Sequence, residues 1–197
     1  MAVTSIWSIK GWIGKVINYA ENPDKTKEQM NQELVSESET GQLQGLNDVI
    51  TYAVNAEKTR REQSESVETE LVGESEELME RYVSGINCSP TTAREEMIAV
   101  KKRFGKEGGI VAFHGYQSFA PGECTPAMAH EIGKKLAEEL WGSRYQVLIA
   151  THLDKANHLH NHFVVNSVSF LNGKRYHRTN QDYRDMRMVS DRLCKEY

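Results

Sequence analysis

Short stretches rich in β-branched and aromatic residues recur along the chain and predict β-strands. In several of them apolar and polar residues alternate, which is typical of a strand with one buried face. These stretches are residues 2–9, 81–86, 110–119, 144–153 and 160–170. An Asn-Gly pair at 172 and 173 follows the last one and predicts a two-residue hairpin turn into the segment KRYHR.

Apolar residues recur at helical spacing in other parts of the chain. A first helix is predicted from Trp12, because apolar residues follow at 13, 16, 17 and 20. A second begins at Ser89-Pro90, a cap followed by proline, and ends at basic residues 101–103. Residues 125–141 and 182–197 predict two more helices, whereas 27–47 are polar and predict loop or weak helix. The order of elements predicts an α+β fold with helices packed against an antiparallel sheet.

A polar, acidic insert is predicted at about residues 60–80. Residues 62–80 contain eight glutamates and no lysine or arginine. The whole chain carries a net charge of −4, from 24 basic and 28 acidic residues, and without these eight glutamates the balance is +4. A basic face for nucleic acid is therefore compatible with the composition, and we expect the insert to stay solvated away from it.

The chain contains one internal repeat. Residues 49–59, VITYAVNAEKT, match residues 16–26, VINYAENPDKT, at seven of eleven positions. The pattern occurs twice and is not continued, so it indicates a local duplication rather than a solenoid. Each copy carries a tyrosine at the same place, Tyr19 in the first and Tyr52 in the second.

Composition also predicts the compartment. The longest apolar runs, such as residues 147–150, fall far short of the ~20 residues that span a bilayer, and the N-terminus lacks a signal-peptide pattern. The three cysteines have no CxxC spacing, so they predict neither a disulfide framework nor a cysteine zinc site. We expect a cytoplasmic protein without membrane insertion. The final helix stops without a cap, so we expect this chain to be the N-terminal part of a longer protein.

Four of the seven histidines lie within residues 152–162. Alternate side chains of a strand share a face, so one side of the last predicted strand carries His158, His160, His162 and Asn166. Two imidazoles from one strand and a third from the preceding segment form an open site for a divalent cation. The isolated histidines His114, His130 and His177 are expected to be structural or solvated.

Metal binding becomes a reaction when a nucleophile is available. Tyr19, on the first predicted helix, is one candidate, although a phenol with a pKa near ~10 needs an electropositive neighbour to attack at neutral pH. Asp154 and Asn166 flank the histidines and are candidates to orient the imidazole rings through hydrogen bonds.

These residues resemble a known family, the relaxases that initiate conjugative DNA transfer, within the HUH endonucleases. IWSIKGWIGKVINYAENPDKT is similar to the first family motif, and HLDKANHLHNHFVVN is similar to the histidine motif. The stretches YVSGINCSPTTAREEM, RFGKEGG and AFHGYQSFAPGE resemble the MobP type of integrative conjugative elements. The resemblance covers essentially the whole chain, 1–197, and implies a five-stranded antiparallel sheet with flanking helices.

The resemblance implies roles for individual residues. His160 and His162 match the paired metal ligands, and His152 matches the third ligand, with the extra His158 as the alternative. The ion would be divalent, Mg²⁺ or Mn²⁺. Tyr19 matches the nucleophile because it follows the first strand directly, and Tyr52 is the alternative.

The implied reaction is transesterification on single-stranded DNA at an origin of transfer. The tyrosine attacks the scissile phosphate and leaves a 5′-phosphotyrosine, and the reverse step reseals the strand. Asp154 would orient a histidine or accept the tyrosine proton. The implied partners are single-stranded and hairpin origin DNA, with accessory relaxosome and coupling proteins. Five basic residues are candidate phosphate contacts: Lys10, Lys15, Lys174, Arg175 and Arg178.

Two other functions remain open at this point. A replication initiator of the same superfamily would share the histidine pair and the tyrosine, but usually carries the tyrosine after the histidines. A metal-binding, DNA-binding module without nuclease activity would bind the cation and never form a DNA adduct.

Overall fold

A computed structural model of the chain describes residues 2–10, 46, 49–51, 53, 54, 82–153 and 159–197. The helix predicted from Trp12 and the predicted insert at 60–80 lie outside the described residues. None of the helices within the described ranges is both long and apolar enough to cross a membrane.

Five strands form one antiparallel sheet, as the sequence predicts. They are β1 (Val3–Lys10), β2 (Val83–Ile86), β3 (Ile110–Ser118), β4 (Val147–His152) and β5 (His160–Asn166). The strand order is β1-β3-β5-β4-β2, so β5 is central and β2 lies at an edge. Every pairing is antiparallel. The predicted α+β class with a five-stranded sheet is confirmed.

Three α-helices accompany the sheet within the continuous described ranges: α1 (Ala93–Arg103), α2 (Pro126–Ala137) and α3 (Asn180–Glu196). A π-helical turn, Glu138–Gly142, extends α2 to the predicted end near Trp141. Helix α1 begins later than predicted, because residues 89–92 form a turn in which the Thr92 amide donates to the Ser89 carbonyl. Helix α3 begins earlier than predicted, because Thr179 and Asp182 cap it reciprocally through side chain and backbone.

Two predicted strands are too long. The strand predicted from residue 144 begins at Val147, because the Tyr145 amide still bonds to the Trp141 carbonyl at the end of the preceding helical turn. The strand predicted to residue 170 ends at Asn166. Beyond it the predicted hairpin is reduced to a single bridge between Val168 and Arg175, closed by a turn in which Gly173 has a positive φ of 68°.

The two faces of the sheet bury different cores. On one face, α2 and α3 pack on a cluster that includes Phe113, Ile149, Phe163 and Val165. On the other face, α1 packs with a short helical stretch on a second cluster, which includes Ile9, Ala112, Leu148 and Val164. We call this stretch the covering segment; its described residues are Leu46, Val49, Ile50, Thr51, Ala53 and Val54. The face under the covering segment is also the face that carries the histidines.

Candidate metal centre and nuclease site

Three histidines converge where strands β4 and β5 run side by side. His160 and His162 alternate along β5, and His152 at the end of β4 lies directly opposite His160. Their ring centroids are 4.2 to 5.1 Å apart, and one nitrogen from each ring lies within 4.8 Å of the others. His152 and His162 are buried, whereas His160 is half-buried. The structure therefore brings together the three residues that the sequence names as ligands.

The donor set fits a divalent cation. Three imidazole nitrogens on one face of the sheet supply half of an octahedral shell or three corners of a tetrahedron, which leaves positions for water or substrate oxygen. Mg²⁺, one of the two ions named from the sequence, usually takes oxygen ligands and keeps several waters.

The covering segment contacts the histidines through its backbone. His152 Nε2 lies 3.0 Å from the Ala53 carbonyl oxygen. A carbonyl only accepts hydrogen bonds, so Nε2 is the donor, and in the neutral form of the ring the lone pair then lies on Nδ1. Ala53 and Leu46 are fully buried, so the described part of the covering segment is anchored beside the three histidines.

A fourth histidine, His114 on β3, adjoins the three. Its Nε2 lies 2.9 Å from Nδ1 of His162, and the two rings lie side by side, with centroids 5.1 Å apart and planes inclined by 27°. Trp7 on β1 packs edge-on against the other side of His114, with centroids 4.8 Å apart. Burial, reinforced by the charge of His152, lowers the pKa of His114 to about 4, so this ring is neutral at physiological pH. His114 is buried and hydrogen-bonded, which agrees with the first of the two alternatives expected from the sequence, a structural rather than a solvated histidine.

The opposite face of the same strands is held by buried hydrogen bonds. Thr151, beside His152, donates to Asn161 Oδ1 at 2.6 Å, and Asn161 lies between the two histidines of β5. The Asn161 amide donates to Gln117 Oε1 at 3.0 Å and to the Ala129 carbonyl at 2.7 Å. The strands that carry the three histidines are therefore fixed to β3 and to α2.

Comparison with known proteins identifies the family. Residues 52–197 match the family described as "Relaxase: MobA/VirD2-like, nuclease domain". The chain belongs to this relaxase family. The resemblance seen in the sequence motifs is confirmed.

Three curated proteins are similar in sequence to part of this chain. One "Protein rlx" of Staphylococcus aureus is 40% identical over 115 residues, which is 58% of this chain and 36% of that protein. A second rlx protein of the same species is 33% identical over 111 residues, 56% of this chain and 33% of that protein. "Group II intron-interrupted relaxase LtrB" of Lactococcus lactis subsp. cremoris (strain MG1363) is 39% identical over 72 residues, 36% of this chain and 13% of that protein.

The relaxase chain thus spans about a third of the length of the rlx relatives. No solved structure matches it significantly.

Several predicted site residues of the relaxase domain lie outside the described residues. They are both tyrosines, Tyr19 and Tyr52, together with Asp154, His158 and Lys15. Their roles stay predictions.

Asn166, predicted to orient a histidine, has other partners in the relaxase domain. Its Oδ1 accepts a hydrogen bond from Lys101 Nζ, and its amide donates to Gln146 Oε1 at 2.9 Å and to the Met97 carbonyl at 3.3 Å. Asn166 ends β5, four residues after His162, about 13 Å along an extended strand. It joins the sheet to α1 rather than contacting the three histidines.

The described basic candidates fall into two kinds. Lys10 and Lys174 are exposed side chains. Arg175 donates to three backbone carbonyls, those of Lys106, Gly108 and Ile110. Arg178 donates to the Ile6 carbonyl at 3.2 Å. The arginines therefore hold loops in place, which leaves the lysines as the simpler candidates for phosphate contact.

Proposed function

We propose that this relaxase domain nicks single-stranded DNA at an origin of transfer by metal-dependent transesterification. The observation that carries the proposal is the set of His152, His160 and His162, whose nitrogens lie within 4.8 Å of one another. Membership of the relaxase family supports the substrate class. Accessory relaxosome and coupling proteins would assist the reaction in the cell.

The three histidines would hold a divalent cation, Mg²⁺ or Mn²⁺. When bound, the cation supplies Lewis-acid stabilisation of the charge that develops on the scissile phosphate. The chain's own contribution is to fix the three rings before DNA arrives. Hydrogen bonds on both faces of β4 and β5, from Ala53 on one side and Thr151 and Asn161 on the other, supply that fixation.

The nucleophile is a tyrosine, and two observations support Tyr52 over the Tyr19 preferred from sequence. The carbonyl of Ala53, the next residue after Tyr52, bonds to the ring of His152. The family match begins at residue 52, so it includes Tyr52 and leaves Tyr19 out. We therefore propose Tyr52 as the attacking residue and Tyr19 as the alternative.

The chemical step balances without a further reactant. The tyrosine oxygen bonds to phosphorus and the bond from phosphorus to the 3′-oxygen breaks. The phenolic proton passes to a base, for which Asp154 is the candidate, and from that base to the leaving 3′-oxygen. The products are a 5′-phosphotyrosine and a free 3′-hydroxyl. Reversal reseals the strand, because the phosphodiester energy is retained in the covalent link.

Adduct formation tests the proposal. The protein is incubated with Mn²⁺ and a single-stranded oligonucleotide carrying the origin of its own element, and the covalent product is resolved by denaturing electrophoresis. Tyr52→Phe should abolish the adduct and Tyr19→Phe should preserve it, since each removes only a hydroxyl. The opposite result would assign the reaction to Tyr19. An adduct that persists in the double variant would exclude both Tyr19 and Tyr52 as the attacking residue.

Metal titration tests the ligands. His160→Ala and His162→Ala should each weaken Mn²⁺ binding by orders of magnitude in calorimetry, because each loses one of three ligands. Comparison of His152→Ala with His158→Ala distinguishes the two candidates for the third ligand. Unchanged affinity in the His160 and His162 variants would refute the site, and metal binding without any DNA adduct would favour a binding module over a nuclease.

A further inference from the structure

We propose that His114 is a positioning residue of the metal centre, which accepts the Nδ1 proton of His162 and so directs His162 Nε2 to the cation. The inference rests on the proposed metal-binding function. His114 lies outside the histidine motif, 48 positions before His162, the residue whose ring it would orient.

The sheet register makes this contact possible. His114 on β3 is paired with Val164, and His162 on β5 is paired with Tyr116. His114 and His162 are therefore diagonal neighbours on one face of adjacent strands, a separation that aromatic side chains span. The planes of the two rings are inclined by only 27°, and 2.9 Å separates His114 Nε2 from His162 Nδ1, so the rings meet edge to edge as a hydrogen bond between them requires.

The chemistry of imidazole then fixes the roles. A neutral ring has one N–H and one lone pair, and a cation binds the lone pair. Nδ1 of His162 is engaged with His114 at hydrogen-bond distance, so Nε2 is the nitrogen available to the cation. With Nε2 on the metal, the His162 proton resides on Nδ1 and is donated to His114. Acceptors of this kind orient ligating histidines and increase their basicity.

The neighbouring ligand is oriented by a different partner. His152 donates from Nε2 to the Ala53 carbonyl, so its metal-binding nitrogen is Nδ1. The two buried ligands therefore present opposite nitrogens, His152 through Nδ1 and His162 through Nε2. Which nitrogen of each ring carries the proton can be measured independently of the affinity for the cation.

Trp7 completes the support of His114 from the far side. Trp7 is the register partner of His114 on β1, and its ring meets the imidazole edge-on at 4.8 Å. The rings of Trp7, His114, His162 and His152 thus form a continuous row across the sheet. His114 is held between the ring of Trp7 and the ring of His162. Its fixed orientation therefore fixes the orientation of His162 through the hydrogen bond between them.

The experiment compares two substitutions at one position. His114→Phe retains an aromatic ring but removes the accepting nitrogen, whereas His114→Gln retains an acceptor on a flexible side chain. We expect His114→Phe to weaken Mn²⁺ binding about 10- to 100-fold in calorimetry, the usual effect of losing such a partner, and His114→Gln to recover most of that loss. His177→Phe, which removes an exposed histidine, is the matched control and should leave affinity unchanged.

A spectroscopic readout accompanies the titration. In ¹⁵N-histidine spectra of the protein loaded with diamagnetic Zn²⁺, His162 should carry its proton on Nδ1 and His152 on Nε2. Thermal denaturation of each variant separates loss of folding from loss of the ligand's orientation. Equal Mn²⁺ affinity in folded His114→Phe and wild type, or a His162 proton on Nε2, would overturn the role of His114. Absence of Mn²⁺ binding by the wild type would instead refute the proposed metal centre.

Discussion

The buried side chain of Lys101 should make the free energy of unfolding of this domain increase as the pH rises above about 7. The Lys101 side chain on α1 is fully buried, and its Nζ donates to Asn166. Burial, with a smaller contribution from the charge of Arg175, lowers the pKa of Lys101 from 10.5 to about 7. The folded state therefore disfavours the protonated amine, whereas the unfolded chain keeps a pKa near ~10.4.

The sign and size of the effect follow from proton linkage. Between these two pKa values the unfolded chain holds a proton that the folded chain lacks, so the free energy of unfolding rises with pH. The destabilisation is fully present below pH ~7 and disappears above ~10.4. At ~1.4 kcal/mol per pH unit, allowing for partial protonation near pH 7, the gain from pH 7.0 to 8.5 is about 1.5 kcal/mol.

Urea denaturation measures this gain. The wild type and Lys101→Met are unfolded with urea at pH 7.0, 7.75 and 8.5. Only the pH dependence of the free energy of unfolding is compared, because the variant also removes the hydrogen bond from Lys101 to Asn166. We expect the wild type to gain about 1.5 kcal/mol more than the variant over this interval. The range stops at pH 8.5 because burial raises the pKa of Cys88 from 9.0 to about 12, which lowers stability above the thiol's ordinary value.

A matched control is Lys174→Met, since Lys174 is exposed. The free energy of unfolding of Lys174→Met should change with pH in parallel with that of the wild type. If Lys101→Met also parallels the wild type, the buried amine is protonated in both states across this range and the reasoning fails.

The remaining predictions concern packing and DNA. Gly133→Ala should lower the free energy of unfolding by ~1–3 kcal/mol in thermal denaturation, because an added Cβ would lie 2.5 Å from Asn161 Nδ2; an unchanged melting temperature would contradict this. Binding to a single-stranded oligonucleotide, followed by fluorescence anisotropy, should weaken with salt with a slope of about −0.7 per phosphate contact. Lys174→Ala should reduce that slope without loss of stability, whereas Arg175→Ala should destabilise the fold. Deletion of residues 62–80 should leave binding equal or tighter, and a large loss of affinity would indicate a functional segment.

The sequence predicts the sheet and its helices well because the signals are local. Strand alternation and helix caps lie within single elements, and all five predicted strands exist. The boundaries at residues 144 and 170 were wrong because they depend on neighbouring segments. The covering segment was missed as a helix although Leu46, Val49, Ile50 and Ala53 follow helical spacing. The polar residues that precede this pattern and its short length weaken the local helix signal.

The convergence of His152, His160 and His162 was predictable because two of them alternate on one strand and the third is close in sequence. His114 and Lys101 were not. Their contacts depend on the pairing of β3 with β5 and on the packing of α1 against the sheet. A single sequence gives strands but not their order, so no local pattern indicated that His114 would adjoin His162.

The central place of β5 in the sheet determines how the site should behave in hydrogen exchange. This strand is bonded on both sides, to β3 and β4, whereas β2 at the edge has four residues and one partner. Amide protons of central strands exchange mainly through global unfolding, and those of short edge strands through local opening. We therefore expect the amides of β5 to be among the slowest to exchange. Local opening of the edge strand β2 would therefore leave His160 and His162 in position.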